Sequence, residues 1–200
     1  MPYQFTFKED DDNEPLFQCP LIQYRCEHTN PKTGKRCRIK QYIGFDLCWR
    51  HLQTDRHLKI KPSLIPQAGK GLFAYNGTDN NEVVFNGNQS RGDRIIAYNA
   101  EVISNDETIR RYGYYTAPYG AYIGKNQTED ASCLRSAGSL ANHQTRSRAN
   151  GKFYVYHGRF YLRATKNIRN GDEITVDYGE DYILNEEGIQ YETKYVRNKT

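Results

Sequence analysis

Residues 139–153 have the sequence SLANHQTRSRANGKF, which places Asn142 and His143 side by side, continues as a basic polar loop and closes on Asn150. Serine, asparagine and glycine favour turns, so this segment by itself predicts an exposed loop that crosses the surface. Whether it also belongs to a binding site depends on the segments around it in the chain.

Two earlier segments carry signals of their own. In QAGKGLFA, Gly69 and Gly71 bracket Lys70 just before a β-strand, and glycines at such a place let the backbone approach a ligand closely. RGDRIIAYNAEVI begins at residue 91 and predicts a turn followed by a strand that carries Tyr98 and Glu101. Either segment alone is compatible with a purely structural role.

A later segment completes the set. NIRNGDEITVDYGEDY begins at residue 167 and predicts a turn at Asn170-Gly171, followed by a strand that ends in Asp177-Tyr178-Gly179. The four segments in this order resemble the SET domain, the fold of many protein-lysine methyltransferases. GKGLFA is similar to the opening Gly-x-Gly segment of that family, GDRIIAYNAEVI to its next strand, LANH to its Asn-His motif, and GDEITVDYG to its final block.

The resemblance extends over residues 64–182 and implies a fold that is mostly β with short helices. It further implies the SET-domain β-clip and pseudoknot, in which the segments after Asn-His and around Asp-Tyr-Gly share one site. The chain departs from the family pattern at Ser139, Ala100 and Gln144, where the family commonly has arginine, glycine and serine. The family's cysteine-rich segment after the domain is also missing, since no cysteine follows Cys133.

The resemblance implies transfer of a methyl group from S-adenosylmethionine to a lysine amine. It assigns Tyr178 as the catalytic tyrosine and Tyr98 as a residue that lines the lysine channel. The residues that it implies for cofactor binding are Lys70, Gly71, Tyr119, Asn142 and His143. Asn150 is expected to close the loop and to be architectural. The alternative is that each tyrosine is an ordinary packing residue and that His143 is a core histidine held by hydrogen bonds.

Periodicity predicts several short elements. The β-rich runs are GLFAY, EVVF, DRIIAYNAEVI, KFYVYHG, RFYLRAT and DEITVDY. KFYVYHGRFYLRAT is expected to form a hairpin that turns at His157-Gly158. SNDETIRRYG predicts a short helix capped by Ser104 or Asn105, with acids in its first turn and arginines in its last. The segment EEGIQYETKYVRN predicts a second helix.

The segment that begins at Cys26 has the spacing Cys26-x10-Cys37-x10-Cys48-x2-His51. Three thiolates and one imidazole make a closed tetrahedral set suited to structural zinc, and so short a segment has too little core to fold unaided. Cys19 or His28 could replace one of these ligands. The alternative is a set of reduced, partly buried cysteines.

These features divide the chain into four parts. We expect an acidic tail over residues 1–17, a Cys/His zinc-binding module over 18–60, a SET domain over 62–183 and a C-terminal tail over 184–200, with KIKPSLIPQ as the joint between module and domain. The final tail, which contains Tyr182, Tyr191 and Tyr195, is expected to close the substrate channel.

Charge and composition limit the kinds of molecule that the protein is expected to bind. The net charge is +4, but residues 25–61 hold ten basic and three acidic side chains, which allows contact with a nucleosome or nucleic acid. Only Tyr42, Phe45 and Trp49 interrupt that basic segment with aromatic rings.

No run is long enough to span a bilayer and the first residues do not resemble a secretory signal, so an intracellular protein, nuclear or cytoplasmic, is expected. Five cysteines without an export signal predict free or metal-bound thiols.

The leading hypothesis is a protein-lysine methyltransferase with histone as the leading substrate class. One alternative is a catalytically inactive SET-like scaffold, which has no chemical need to keep Asn142, His143 and Tyr178 together. A second alternative is a zinc-dependent nucleic-acid-binding protein whose β domain is structural.

Overall fold

A computed structural model describes residues 23–42, 45–112 and 119–179 of the 200-residue chain. Within them lie two α-helices, fourteen short strands and one turn of 3-10 helix. The helices are α1 (Trp49–Arg56) and α2 (Asn105–Tyr112), and the 3-10 turn is Ala137–Leu140. The strands are β1 (Gln23–Arg25), β2 (Lys40–Tyr42), β3 (Leu58–Pro62), β4 (Lys70–Ala74), β5 (Val83–Phe85), β6 (Arg94–Ala97), β7 (Glu101–Ser104), β8 (Gly120–Gly124), β9 (Gln127–Asp130), β10 (Asn142–His143), β11 (Gly151–Tyr156), β12 (Arg159–Ala164), β13 (Ile168–Arg169) and β14 (Glu173–Val176).

A seven-stranded sheet organises the larger part of the molecule. Its order is β3-β4-β14-β11-β12-β6, and β10 pairs with β14 beside that path. The pairing of β10 with β14 is parallel, with Asn142 opposite Thr175 and His143 opposite Val176. All four residues of β14 are buried, because neighbouring strands and the core enclose both of its faces. The predicted mostly-β fold with short helices is confirmed.

A smaller sheet, β7-β9-β8, is braced by α2. The Oγ of Ser104 accepts a hydrogen bond from the N–H of Glu107, which identifies Ser104 as the helix cap. Near the other end of the helix, the buried Arg111 guanidinium lies 2.8 Å from Glu101 and 2.6 Å from Glu107. These carboxylates neutralise a charge that would otherwise be costly to bury.

The structure differs from the sequence-based expectations at four places. DRIIAYNAEVI is not one strand but two, β6 and β7, because Asn99 takes a left-handed conformation (φ 50°) and breaks the pairing. Helix α1 and the hairpin of β8 with β9 were not predicted. The predicted joint contains β3, which pairs along its whole length with β4 and is therefore part of the main sheet. The predicted hairpin that turns at His157-Gly158 forms as expected.

The cysteine-rich segment packs directly on the main sheet. Cys26, Cys48 and Leu52 belong to the same buried cluster as Leu58 and Leu72 of β3 and β4. The backbone N–H of Tyr75 also donates to the carbonyl of His57 at 2.8 Å, just after α1. The module and the sheet thus share one core.

Several predicted features lie outside the described residues. They are the acidic tail (1–17), the C-terminal tail (184–200) with its expected helix, and the side chains of Cys19, Tyr182, Tyr191 and Tyr195. Among the residues that the structure describes, neither helix has the length and apolar character required to cross a bilayer.

Candidate active site and zinc centre

The loop that follows the Asn-His pair is tied to the last strand of the sheet. The Nδ2 of Asn150 donates to the carbonyl of Glu173 at 2.8 Å, and its Oδ1 accepts from the N–H of Thr175 at 2.9 Å. At the start of the loop, the N–H of Gln144 donates to the carbonyl of Val176 at 2.8 Å. Residues 144–150 therefore cross beside β14 and are fixed to it at both ends, in the arrangement expected for the pseudoknot.

Asn142 connects this crossing to the Gly-x-Gly segment. Its Nδ2 donates to the carbonyl of Lys70 at 3.0 Å and to Oε1 of Glu173 at 3.1 Å. Within the described part of the chain its Oδ1 accepts no hydrogen bond, so one acceptor stays available beside the backbone of Lys70. Two segments that lie 72 residues apart in sequence thus meet at one amide.

Glu173 is the site residue that sequence reasoning missed. Its Oε1 accepts from the hydroxyl of Ser63 at 2.6 Å, and its Oε2 accepts from the N–H of Leu64 at 2.7 Å. A Cβ added to Gly71 would lie 2.3 Å from Oε1, so only glycine lets this carboxylate reach its partners. The signal in the sequence is an acid that begins a strand whose other members are apolar or Thr, since a buried carboxylate needs such partners.

Tyr178 and His143 meet directly. The N–H of Tyr178 donates to Nδ1 of His143 at 3.2 Å, and the two ring centroids lie 5.3 Å apart. The Tyr178 hydroxyl donates to the carbonyl of Ala141 at 2.8 Å. Because Nδ1 accepts this bond, the neutral imidazole carries its proton on Nε2. The tyrosine and the Asn-His pair therefore lie together, as the sequence predicted.

Tyr98 lies in an aromatic cluster that shares Phe153 with the buried cluster containing Tyr178. Its ring makes edge-on contacts with Phe153 at 5.6 Å and Phe160 at 5.8 Å, and its hydroxyl donates to the carbonyl of Tyr119 at 2.8 Å. Burial raises the pKa of Tyr98 well above its ordinary value, and the nearby Tyr178 hydroxyl raises it further. The Tyr98 hydroxyl consequently stays neutral and acts as a hydrogen-bond donor.

Tyr119 is placed beside Tyr98. Its carbonyl accepts from Tyr98, and the Arg135 guanidinium lies 4.0 Å from the centre of its ring. The predicted site residues thus form two groups. Lys70, Gly71, Asn142, His143 and Tyr178 surround the crossing, whereas Tyr98 and Tyr119 lie in the aromatic cluster.

The four predicted metal ligands converge on a point. The donor atoms of Cys26, Cys37, Cys48 and His51 all lie within 4.8 Å of one another, with Nδ1 of His51 at 3.3 Å from Cys26 Sγ and 3.2 Å from Cys48 Sγ. Zinc–thiolate bonds of about 2.3 Å in a tetrahedron place two donors about 3.8 Å apart, so this cluster fits zinc closely.

Local structure explains the convergence of these donors. Cys48 immediately precedes α1 and His51 lies in its first turn, so the helix brings these two donors to one side. Burial raises the pKa of the Cys26 thiol to about 11, whereas the N–H of Ile39 lowers the pKa of the Cys37 thiol. A bound cation would favour the thiolate forms of both.

His28 does not belong to the donor cluster. Its ring stacks on His51 at 3.7 Å, and its Nδ1 lies 2.5 Å from Oδ2 of Asp55. It therefore supports the His51 ring from outside. Cys133 is an exception to the predicted free or metal-bound thiols, because it is disulfide-bonded.

The profile of the SET domain family matches residues 69–179, more than half of the chain. A search of curated proteins finds no match. A structure of ctPRC2 in complex with H3K27me3 is similar at 24% identity and a TM-score of 0.51, over 65% of this chain and 15% of that one.

A crystal structure of the Chaetomium thermophilum polycomb repressive complex 2 is also similar, at 24% identity and a TM-score of 0.48, over 62% of this chain and 15% of that one. The chain thus spans about 15% of the length of the solved chains that it matches.

Proposed function

The chain belongs to the SET-domain family, and from that premise we propose that it is an S-adenosylmethionine-dependent protein-lysine methyltransferase. The observation that carries the proposal is the meeting of Tyr178 with His143 beside the crossing that joins Asn142 to the Gly-x-Gly segment. These are the positions to which the resemblance assigns the reacting amine and the methyl donor.

The residues present fit the cofactor. Gly69 has a positive φ of 68° and open space where a side chain would stand, so the backbone beside Lys70 is accessible. The free Oδ1 of Asn142 is an acceptor suited to the ammonium group at the amino-acid end of S-adenosylmethionine. When bound, the cofactor supplies a methyl group on a positively charged sulfur.

The protein's part in the reaction is to position a neutral amine. A free lysine with a pKa near 10.4 is neutral only on the order of one part in a thousand at neutral pH, so the channel must lower that pKa by desolvation. The cluster of Tyr98, Phe153 and Phe160 provides an apolar wall for this purpose. The Tyr178 hydroxyl is anchored on the carbonyl of Ala141, and its oxygen is the atom that we propose orients the amine.

We further propose structural zinc at Cys26, Cys37, Cys48 and His51, and histone as the substrate class to test first. The zinc module over residues 18–60, the SET domain over 62–183 and a C-terminal tail that closes the substrate channel remain parts of this proposal.

The decisive experiment combines cofactor titration with methyl transfer. Calorimetry should detect S-adenosylmethionine binding, and labelled cofactor with mixed histones should give a methylated product that mass spectrometry identifies. Tyr178→Phe should lower the transfer rate by about a hundredfold or more while cofactor affinity changes little. Tyr122→Phe, which alters an exposed tyrosine of β8, is the matched control and should leave the rate unchanged.

The outcomes separate the candidate functions. Binding of the cofactor without transfer to any protein would replace the enzyme by an inactive scaffold. Absence of cofactor binding would overturn the proposal altogether. An unchanged rate for Tyr178→Phe would remove that residue from its proposed role.

A further inference from the structure

One face of the β11–β12 hairpin alternates tyrosines with cations. Successive residues of a strand point to opposite sides, so alternate positions share a face, and the register places Tyr154 opposite Tyr161 and Lys152 opposite Arg163. β6 extends this face at the edge of the sheet and adds Arg94, which is paired with Arg163. We call the set the tyrosine–arginine face, and its members are Arg94, Lys152, Tyr154, Tyr156, Tyr161 and Arg163.

The guanidinium groups are held against the rings of this face. The Cζ of Arg94 lies 4.3 Å from the ring centre of Tyr161 and 5.0 Å from that of Tyr156, and its Nε donates to the hydroxyl of Tyr154 at 2.9 Å. The Cζ of Arg163 lies 4.7 Å from the ring centre of Tyr154. These contacts preorganise charge and aromatic surface together while Tyr156 remains 48% exposed.

The cations of the face differ from Arg159 of the same hairpin, which forms an ion pair with Glu129 at 3.4 Å. Within the described ranges, none of Arg94, Lys152 and Arg163 forms an ion pair with a carboxylate. Positions 152, 154, 156, 159, 161 and 163 of the hairpin hold no acidic residue. This excess of positive charge does not help the hairpin to fold, because cross-strand pairs of opposite charge stabilise a hairpin better than pairs of like charge.

A cavity of about 440 Å³ adjoins the face. Its lining includes Arg94 and Tyr161 of the face, Arg56 and His57 from the end of α1, and the apolar Phe85 and Ile95. Asp46 and Asp55 also line the cavity, and Asp55 is already bound to His28. The volume is of the size that takes a small organic ligand, and the wall offers both an aromatic ring and cations.

We propose that the tyrosine–arginine face binds single-stranded nucleic acid. Bases stack on Tyr156 and Tyr161, phosphates contact Arg94, Lys152 and Arg163, and one base enters the adjoining cavity. Exposed rings interleaved with cations are the features that bind single strands, whereas a duplex hides its base faces. The face itself lies outside the basic segment of residues 25–61, which contributes only Arg56, His57, Asp46 and Asp55 to the adjoining cavity.

Fluorescence anisotropy with the full-length, zinc-loaded chain tests the proposal, using a labelled oligouridine of about 12 nucleotides. Tyr156→Ala should weaken binding about tenfold, whereas Tyr156→Phe, which keeps the ring, should stay within about twofold of the wild type. Arg94→Gln should weaken binding and reduce the salt dependence by about one phosphate contact. Tyr122→Ala removes a tyrosine that is 61% exposed on the β7-β9-β8 sheet and should have no effect.

Four results would overturn the proposal. The first is no binding by the wild type, and the second is a loss with Trp49→Ala, in the zinc module, but not with Tyr156→Ala. The third is equal affinity for a duplex of the same length, which would show that base faces are not used. The fourth is displacement of the RNA by a polyglutamate peptide at equal charge concentration, which would indicate attraction by charge alone. Thermal unfolding of each variant checks that it is folded.

Discussion

The zinc module and the crossing at the Asn-His loop hold distant residues together by different means. In the module, four side-chain donors meet at one point, and few apolar residues, such as Leu47 and Leu52, are buried with them. At the crossing, amides and a carboxylate bind backbone groups one by one, and the fully buried Ile174 and Val176 of β14 supply a core.

The contrast shows how each region should fail. A unit held by a metal ion loses all of its cross-links when the ion leaves, because the four ligands are connected only through that ion. A hydrogen-bonded crossing loses one contact at a time, and the packed strand beneath it persists. We therefore expect an all-or-none loss in the module and graded losses at the crossing.

The largest effect should follow removal of the metal. Structural zinc contributes about 10 kcal/mol or more to the folding of small fingers, so Cys48→Ser or chelation should unfold the module and expose Leu52. Hydrogen exchange over residues 45–57, together with zinc content by mass spectrometry, measures this. His28→Ala is the matched control, since it removes a neighbouring histidine that is not a donor and should retain zinc. A Cys48→Ser protein with full zinc content would contradict the assignment.

Glu173→Gln should destabilise the protein less than loss of the metal does. If the crossing depends on many separate contacts, the remaining contacts should hold the sheet together. The amide NH2 would face a donor, such as the N–H of Leu64, the hydroxyl of Ser63 or the amide of Asn142, so unfolding free energy should fall by about 3 kcal/mol. Denaturant unfolding measures this loss. Glu82→Gln, at an exposed position, is the control with no expected change. A cooperative collapse of the whole sheet would show that the crossing depends on one group.

Gly71→Ala tests the contact with Glu173 from β4, the strand paired with β14. The new methyl would press on Oε1 of Glu173, and we expect a loss of about 2 kcal/mol together with weaker cofactor binding. In a Glu173→Ala background the same change should cost much less, because the colliding atom is gone. A double-mutant cycle by denaturant unfolding gives the coupling. Additive costs would contradict the contact.

The smallest expected change in stability follows loss of the ion pairs on α2. Hydrogen bonds from Arg110 and Arg111 lower the pKa of Glu107 from 4.5 to about 2. Because the folded-state pKa is depressed, this contribution to stability is present above pH 4.5 and disappears as the pH falls toward 2. Glu107→Gln should therefore be slightly less stable than the wild type at pH 6, with the difference vanishing near pH 2. A difference that is constant over this range would argue against the pair.

Local motifs predicted much of the molecule. The Asn-His and Asp-Tyr-Gly segments, the cluster of four Cys and His donors and the hairpin at His157-Gly158 are visible in sequence because spacing and turn chemistry are local properties. The Ser104 cap of α2 was visible for the same reason.

The missed features depend on tertiary context. The role of Glu173 arises only when Ser63 and Asn142 are brought to it from 110 and 31 residues away. Helix α1 lacks a side-chain cap and an acid in its first turn, so no local signal marks its start. β3 is a strand because β4 lies beside it, and Asn99 splits a continuous β-rich run by its backbone conformation alone.

The position of β14 in the sheet has a consequence for the order of assembly during translation. In the described residues, β14 lies between β4 and β11, yet it is the last strand to be synthesised. As the chain leaves the ribosome, the β3–β4 and β11–β12 hairpins can form early, because each pairs neighbours in sequence. They remain two separate half-sheets until residues 173–176 emerge and join them, so the contacts of Tyr178 with His143 and Ala141 are among the last to form in the nascent protein.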